Sequence, residues 1–397
     1  MRQYRPCSGA PERVSQTVMT TDTLPAVHGS VAPGFEPVRD AFLANWSDQD
    51  EIGAGFALRI DGETVVDIHA GWADRKKTRD WQADTLVPVY STGKAVAALV
   101  MAKLVDRGLL QYDVPVADYW PEFAAGGKSQ VTVAQALSHQ AGLSGIAEEM
   151  DAGDWFDAAK IEDRLARQAP LWELGTGSGY HPVTFGFIAD ALARRTDGRS
   201  IGAILREDIC GPAGIDFHVG LPESEHARTA EHAMPRQVPD LGERTRPREL
   251  AFLKAWSSPG RRGATEWRKA EFPAANAHAT ASALARLMGV YALDGKLDDK
   301  RFLSAATLEA LVKERVAGPD KVLPFDLSWA AGVMRNTRTQ FYGPTPEAVG
   351  HSGWGGSCAF ADPVRRLTGA YVMNRQQHYL AGDPRPTRII EAVYGCL

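Results

Sequence analysis

Residues 88–103 read PVYSTGKAVAALVMAK, a loop that leads straight into eight apolar residues, Ala95 to Ala102, closed on either side by Lys94 and Lys103. This stretch holds the only S-x-x-K in the chain, Ser91-Thr92-Gly93-Lys94. The pattern predicts a buried helix from Ser91 to about Leu110, surfacing at Asp106, Arg107 and Gly108. Residues three apart on a helix share a face one turn apart, so the Lys94 amine can reach the Ser91 hydroxyl. Apolar surroundings disfavour the ammonium and leave neutral amine to accept the serine proton. Free N–H groups of the first helical turn lie close to the same hydroxyl. Taken alone, Ser91 would serve only as an N-cap and Lys94 would snorkel to solvent.

Working outward, FEPVRDAFLANW at residues 35–46 places Phe35, Val38, Phe42 and Leu43 on one helical face. Two β-rich runs follow, Ala54 to Ile60 and Glu63 to Trp72, joined by Asp61-Gly62, the dipeptide suited to the positive φ angles of a two-residue hairpin turn. Helix and loop signals then dominate to about Leu293. Strand signals return at Trp329 to Met334, Ala348 to Gly353, Ser357 to Asp362 and Leu367 to Asn374, and a helix from about Arg385 to Tyr394 closes the pattern. Strands at both ends with helices between them imply one α/β sandwich lobe made from both ends of the pattern, with a mostly helical lobe inserted in the middle. The expected division is a loose tail over 1–25, a sandwich lobe from 26–90 and 294–397, and a helical lobe over 91–293. A cleft between the lobes is the expected site.

Composition narrows the function. The 397 residues are 44% hydrophobic and 23% charged, as in ordinary folded proteins. The net charge of −5 argues against a nucleic-acid partner. No apolar run approaches the roughly 20 residues that span a bilayer, so no membrane partner is expected. The stretch MRQYRPCSGAPERVSQTVMTTDTLP lacks an apolar segment after its arginines and does not read as a secretory signal. Cys7, Cys210, Cys358 and Cys396 form no CxxC pair and have no histidine at ligand spacing, so neither a zinc site nor a disulfide framework is indicated and a reducing cytoplasm fits; no metal or cofactor is expected.

Two segments lift the S-x-x-K above coincidence. Tyr180 lies in the glycine-rich WELGTGSGYHP (172–182), a loop able to deliver a phenol to a cleft and to start a helix at Pro182. Gly350-His351-Ser352-Gly353-Trp354-Gly355-Gly356 joins two strands with glycines that admit a substrate backbone. Ser91-x-x-Lys94, Tyr180 and His351-Ser352-Gly353 in that order resemble the serine β-lactamase and penicillin-binding-protein superfamily, most of all its class C-like esterase branch, the family VIII carboxylesterases. Residues 110–123, 131–143 and 276–286 are similar to that family too.

The resemblance implies an α/β, β-lactamase/transpeptidase-like fold, an antiparallel sheet flanked by terminal helices plus an inserted mostly helical lobe, and a covalent acyl-enzyme on Ser91. Lys94 would be the general base and Tyr180 the proton carrier to the leaving group. The backbone N–H groups of Ser91 and Trp354 would form the oxyanion hole, with His351, Ser352, Gly353 and Trp354 binding the substrate. Two positions depart from lactam-hydrolysing relatives: Pro182 stands where an asparagine amide is usual, and His351 where lysine is common. Both changes favour uncharged esters, and the bulk of Trp354 favours short acyl groups. The implied function is thus a serine carboxylesterase acting on small-molecule esters, with a β-lactamase, a D-alanyl-D-alanine peptidase or an acyltransferase as alternatives.

Gly198-Arg199-Ser200-Ile201-Gly202 matches the G-x-S-x-G elbow, but helical sequence precedes it and Ser200 reads as an N-cap. His139, His181 and His278 read as core or loop residues. Between Pro222 and Lys269 the chain is rich in Pro, Arg and Glu, which reads as a solvated excursion in preference to a lid over the cleft.

Overall fold

The computed structural model describes residues 24–397. Most of the expected tail, with Cys7, lies outside these residues. Nine antiparallel strands make one sheet, here β1 (Val27–Val31), β2 (Gly53–Ile60), β3 (Glu63–Gly71), β4 (Val316–Pro319), β5 (Asp326–Trp329), β6 (Met334–Arg335), β7 (Val349–Ser352), β8 (Cys358–Asp362) and β9 (Leu367–Met373). Their spatial order is β1-β3-β2-β9-β8-β7-β6-β5-β4, so the early hairpin pairs with the last strand. Asp61 and Gly62 take φ of 50° and 86°, as the two-residue turn of β2 and β3 requires.

Strand alternation explains how the sheet is covered. Phe56, Phe360 and Tyr371 join a core with Val38 and Phe42 of α1 (Glu36–Asp48), and with Ile389 of the C-terminal helix Pro384–Gly395. On the other face the small Ala57, Ala359, Ala361 and Ala370 join the core that contains Ala285 and Leu284 of helix Ala281–Ala292. That core continues into the helical part of the chain, through α2 (Gly93–Asp106) and α3 (Thr184–Thr196).

Three expectations change. Trp329 to Met334 is not one strand: Ala330 N–H bonds Val333 O at 2.9 Å, closing a turn between β5 and β6 with Gly332 at φ 96°. The apolar letters there are buried in loop as well as in sheet. The helix expected from Pro182 starts two residues later, at Thr184. The stretch 222–269 is not a free solvated excursion. Its helix Arg246–Phe252 is tied to the sheet side by Arg248 Nε donating to Val322 O (2.7 Å), and to the helical side by Ser144 Oγ donating to Pro247 O (3.0 Å). Trp256 Nε1 donates to Ile146 O at 2.9 Å, so the segment is pinned at both lobes.

Candidate active site

Ser91 sits in the single 3-10 turn Tyr90–Thr92 that feeds α2. Tyr90 has φ 48°, an unfavourable value for a bulky residue. Its ring is held against His232, Trp354 and Trp267, with centroids 5.3, 5.9 and 6.4 Å away. From the sheet side Ser357 Oγ donates to Val89 O (2.8 Å) and meets Thr92 Oγ1 at 3.0 Å. Gly353 allows that closeness: a Cβ there would lie 2.3 Å from Val89 O and 2.2 Å from Ser357 Oγ.

Lys94 is fully buried. Its Nζ lies 3.0 Å from Ser91 Oγ, 2.7 Å from Pro182 O and 3.0 Å from Ala274 O. The Tyr180 ring lies below it, 4.9 Å from Nζ to the centroid. Burial alone drives the Lys94 pKa well below that of a free lysine. With two hydrogens given to the two carbonyls, a neutral amine has its lone pair left for the Ser91 hydroxyl. Pro182 therefore contributes its carbonyl to the site, through a backbone atom that the side-chain comparison passed over.

The Tyr180 phenol titrates well above its ordinary value. Burial is the main cause, the Asp320 carboxylate adds to it and the neighbouring Ser91 hydroxyl opposes it. Asp320 is a residue the sequence did not single out. Its Oδ1 accepts from Tyr180 N (2.9 Å), Val322 N (2.9 Å) and Leu323 N (2.9 Å), and its Oδ2 accepts from Ser178 Oγ (2.9 Å). Its bonds to Val322 N and Leu323 N make an ordinary local turn, and no spacing motif marks the other two partners, Ser178 and Tyr180, which lie far away in the chain.

His351 and Ser352 line the cavity with Ser91, Tyr180 and Trp354. Gly353 does not; it packs against the nucleophile turn. His351 Nδ1 lies 2.8 Å from Ser352 O, while its buried Nε2 has no partner among the described residues. Burial first, and Lys94 second, push its pKa down to about 3, so it is neutral. His139, His181 and His278 are also buried and shifted down, the last two to about 3. Ser200 caps a short helix by accepting from Ala203 N at 3.1 Å, and the ionisable group beside its hydroxyl is the Glu271 carboxylate, with no lysine or histidine hydrogen-bonded to it among the described residues.

The turn carrying Trp354 is fixed from below. Gln376 Nε2 donates to Trp354 O (3.0 Å), Gly355 N to Tyr379 O (3.1 Å), and Arg385 Nη2 to Gly355 O. Arg385 is itself buried between Glu51 (2.7 Å) and Asp383 (2.8 Å), so its charge is paired on two sides. Neither Ser91 N–H nor Trp354 N–H has an acceptor among the described residues. Ser91 and Trp354 line the same cavity.

A sequence profile of the β-lactamase family matches residues 38–394. The chain belongs to the β-lactamase family. It is 36% identical over 362 residues to the esterase/beta-lactamase LipL of Mycobacterium tuberculosis, covering 88% of this chain and 83% of that protein. Among solved structures, a penicillin-binding protein homolog from Caulobacter crescentus is 54% identical with a TM-score of 0.92, over 94% of this chain and all of that one (100%). A family VIII carboxylesterase is 43% identical with a TM-score of 0.86, over the same shares, 94% and 100%. The β-lactamase family membership and these esterase relatives support a serine hydrolase of this fold. No helix among the described residues is long and apolar enough to cross a membrane.

Proposed function

We propose that the protein is a serine carboxylesterase that cleaves small-molecule esters through a covalent acyl-enzyme on Ser91. The observation that carries this reading is the set of three contacts made by buried Lys94: two carbonyls and one hydroxyl, no carboxylate. Lys94 takes the proton as Ser91 Oγ adds to the ester carbonyl. The N–H groups of Ser91 and Trp354 receive the developing oxyanion. The Tyr180 phenol, kept protonated by burial and by Asp320, passes a proton to the departing alkoxide and is restored from Lys94. Water then attacks the acyl-enzyme with the same groups in reverse roles.

Lactam hydrolysis is the second reading, supported by the esterase/beta-lactamase name of the Mycobacterium tuberculosis relative. Neutral His351 and the lack of a side-chain donor at Pro182 favour esters over it. The test is labelling with a fluorophosphonate followed by peptide mass spectrometry, alongside p-nitrophenyl ester and nitrocefin turnover. Label on Ser91 with ester turnover fits the proposal. Label elsewhere refutes the nucleophile, and nitrocefin turning over as fast as the esters puts the lactamase reading first.

A further inference from the structure

The cavity above Ser91 has a volume of about 810 Å³, in the upper part of the range that holds drug-sized ligands. Its roof is the segment 222–269 that the sequence reads as solvated. Val238, Leu241, Phe252 and Leu253 from this segment face Leu323 and Met334 across the cavity. Val238 is 87% exposed and Leu253 43%, although the described residues leave few large apolar side chains open to water. Single exposed apolar residues are ordinary, but these converge on one opening whose floor is the serine–lysine pair. Of the charged residues of the same segment, Glu243 and Arg246 are exposed and Arg248 is buried against Val322 O, while Asp240, Arg244 and Arg262 stand at the cavity among the apolar side chains. The Trp354 ring does not close the space, for it is turned edge-on to Tyr90 and covered by the Arg262 guanidinium, 4.5 Å from its centroid.

We infer that the ester carries a medium-to-long hydrocarbon chain, of octanoyl to lauroyl size, lying under the roof formed by residues 238–253. This rests on the carboxylesterase reading above and replaces its short-chain expectation. An acetyl group leaves the apolar walls wet. Each methylene that moves from water to such a wall adds up to about fourfold in kcat/KM when fully buried.

The experiment measures kcat/KM for p-nitrophenyl acetate, butyrate, octanoate and laurate below their micelle concentrations, and for ethyl, butyl and octyl acetate. A rise of tenfold or more with acyl length places the chain on the acyl side; the same rise in the alkyl acetates places it on the alcohol side. A flat or falling profile in both series overturns the inference. Fluorophosphonate labelling of Ser91 in the same preparation separates the two failures: label with a flat profile sinks only the chain preference, and no label with no turnover sinks the hydrolase reading. Because Leu241→Asn and Phe252→Asn risk misfolding, Val238→Ser, at an exposed position, is the second variant. It is expected to lower the laurate-to-acetate ratio by at least twofold, and an unchanged ratio in folded Val238→Ser and Leu241→Asn removes the roof from the specificity.

Discussion

Two lysines of this protein are fully buried without a carboxylate partner, and they serve opposite ends. Lys128 donates to Ala125 O (2.7 Å), to Ala166 O (2.9 Å) and to Gln168 O, the last two at the C-terminus of helix Ala158–Arg167. Lys94 donates to two carbonyls and has the Ser91 hydroxyl as its third partner. Carbonyls only accept, so three of them call for an ammonium, and a helix C-terminus favours its charge. Burial brings Lys128 to about 8, which leaves it charged at neutral pH. Lys94 lies well below a free lysine, and its hydroxyl partner tolerates an amine because it can donate as well as accept. Burial alone does not make a base; the third partner decides.

The comparison breaks most readily at the hydroxyl itself. Ser91→Ala leaves Lys94 with carbonyls alone and should abolish ester hydrolysis, whereas Ser200→Ala keeps most of it; loss only in the Ser200 variant would reverse the assignment. Next, Lys94→Ala should cost at least about 10²-fold in kcat. Lys128→Met should lower stability instead, on the order of 1–3 kcal/mol for buried acceptors left unmet, with kcat little changed once folded. Denaturant titration with turnover on both variants checks this, and equal losses of kcat would erase the distinction. Tyr180→Phe should cost about 10²-fold in kcat, as for other positioned proton carriers, and normal turnover would remove the phenol from the mechanism.

A smaller effect comes from Asp320→Asn, which keeps an acceptor for Tyr180 N and removes the charge. It should lower kcat about tenfold, the equivalent of one weakened charge-assisted hydrogen bond, with KM nearly constant. It should also move the alkaline limb of kcat to lower pH, since the carboxylate helps keep the phenol protonated. An unmoved limb would assign Asp320 to structure alone.

The last effect distinguishes the lysines by titration. On the proposed mechanism Lys94 acts as its amine, so kcat/KM should fall as pH drops through a midpoint well below 10.5. For Lys128 the folded pKa of about 8 lies below the unfolded 10.5, so between these values the unfolded chain binds more protons. Stability contributed by this group therefore rises with pH across that window. The stability difference between wild type and Lys128→Met should grow from pH 8 to 10, and a constant difference would contradict the shift.

The two lysines also mark what the sequence can tell. Lys94 is legible because the hydroxyl it meets, that of Ser91, is three residues away and its apolar helix follows at once. The hairpin at Asp61-Gly62 and the terminal helices were legible for the same local reason, whereas the antiparallel sheet, with β2 against β9, was implied by the family resemblance. Lys128 is not, because two of its three carbonyls come from Ala166 and Gln168, and Asp320 is not, because it holds Ser178 and Tyr180 across the fold. The roof was misread from composition: Val238, Leu241, Phe252 and Leu253 line the cavity together with the charged Asp240, Arg244 and Arg262. Pro182 was weighed by its missing side-chain donor, while the site uses its carbonyl.

Strand β9 pairs with β2, and Ser357, just before β8, holds the turn that bears Ser91. During synthesis the nucleophile is therefore made long before the residues that shape it. A ribosome-bound chain that has emerged only to residue 340 carries Ser91, Lys94 and Tyr180 but lacks the Trp354 N–H and the Ser357 clasp. Sheet closure waits for pairings some three hundred residues apart in sequence, such as Gly55 with Val372, which is slow relative to helix formation. Until the final strands dock, the turn that bears Ser91 lacks the Ser357 contacts that fix its shape.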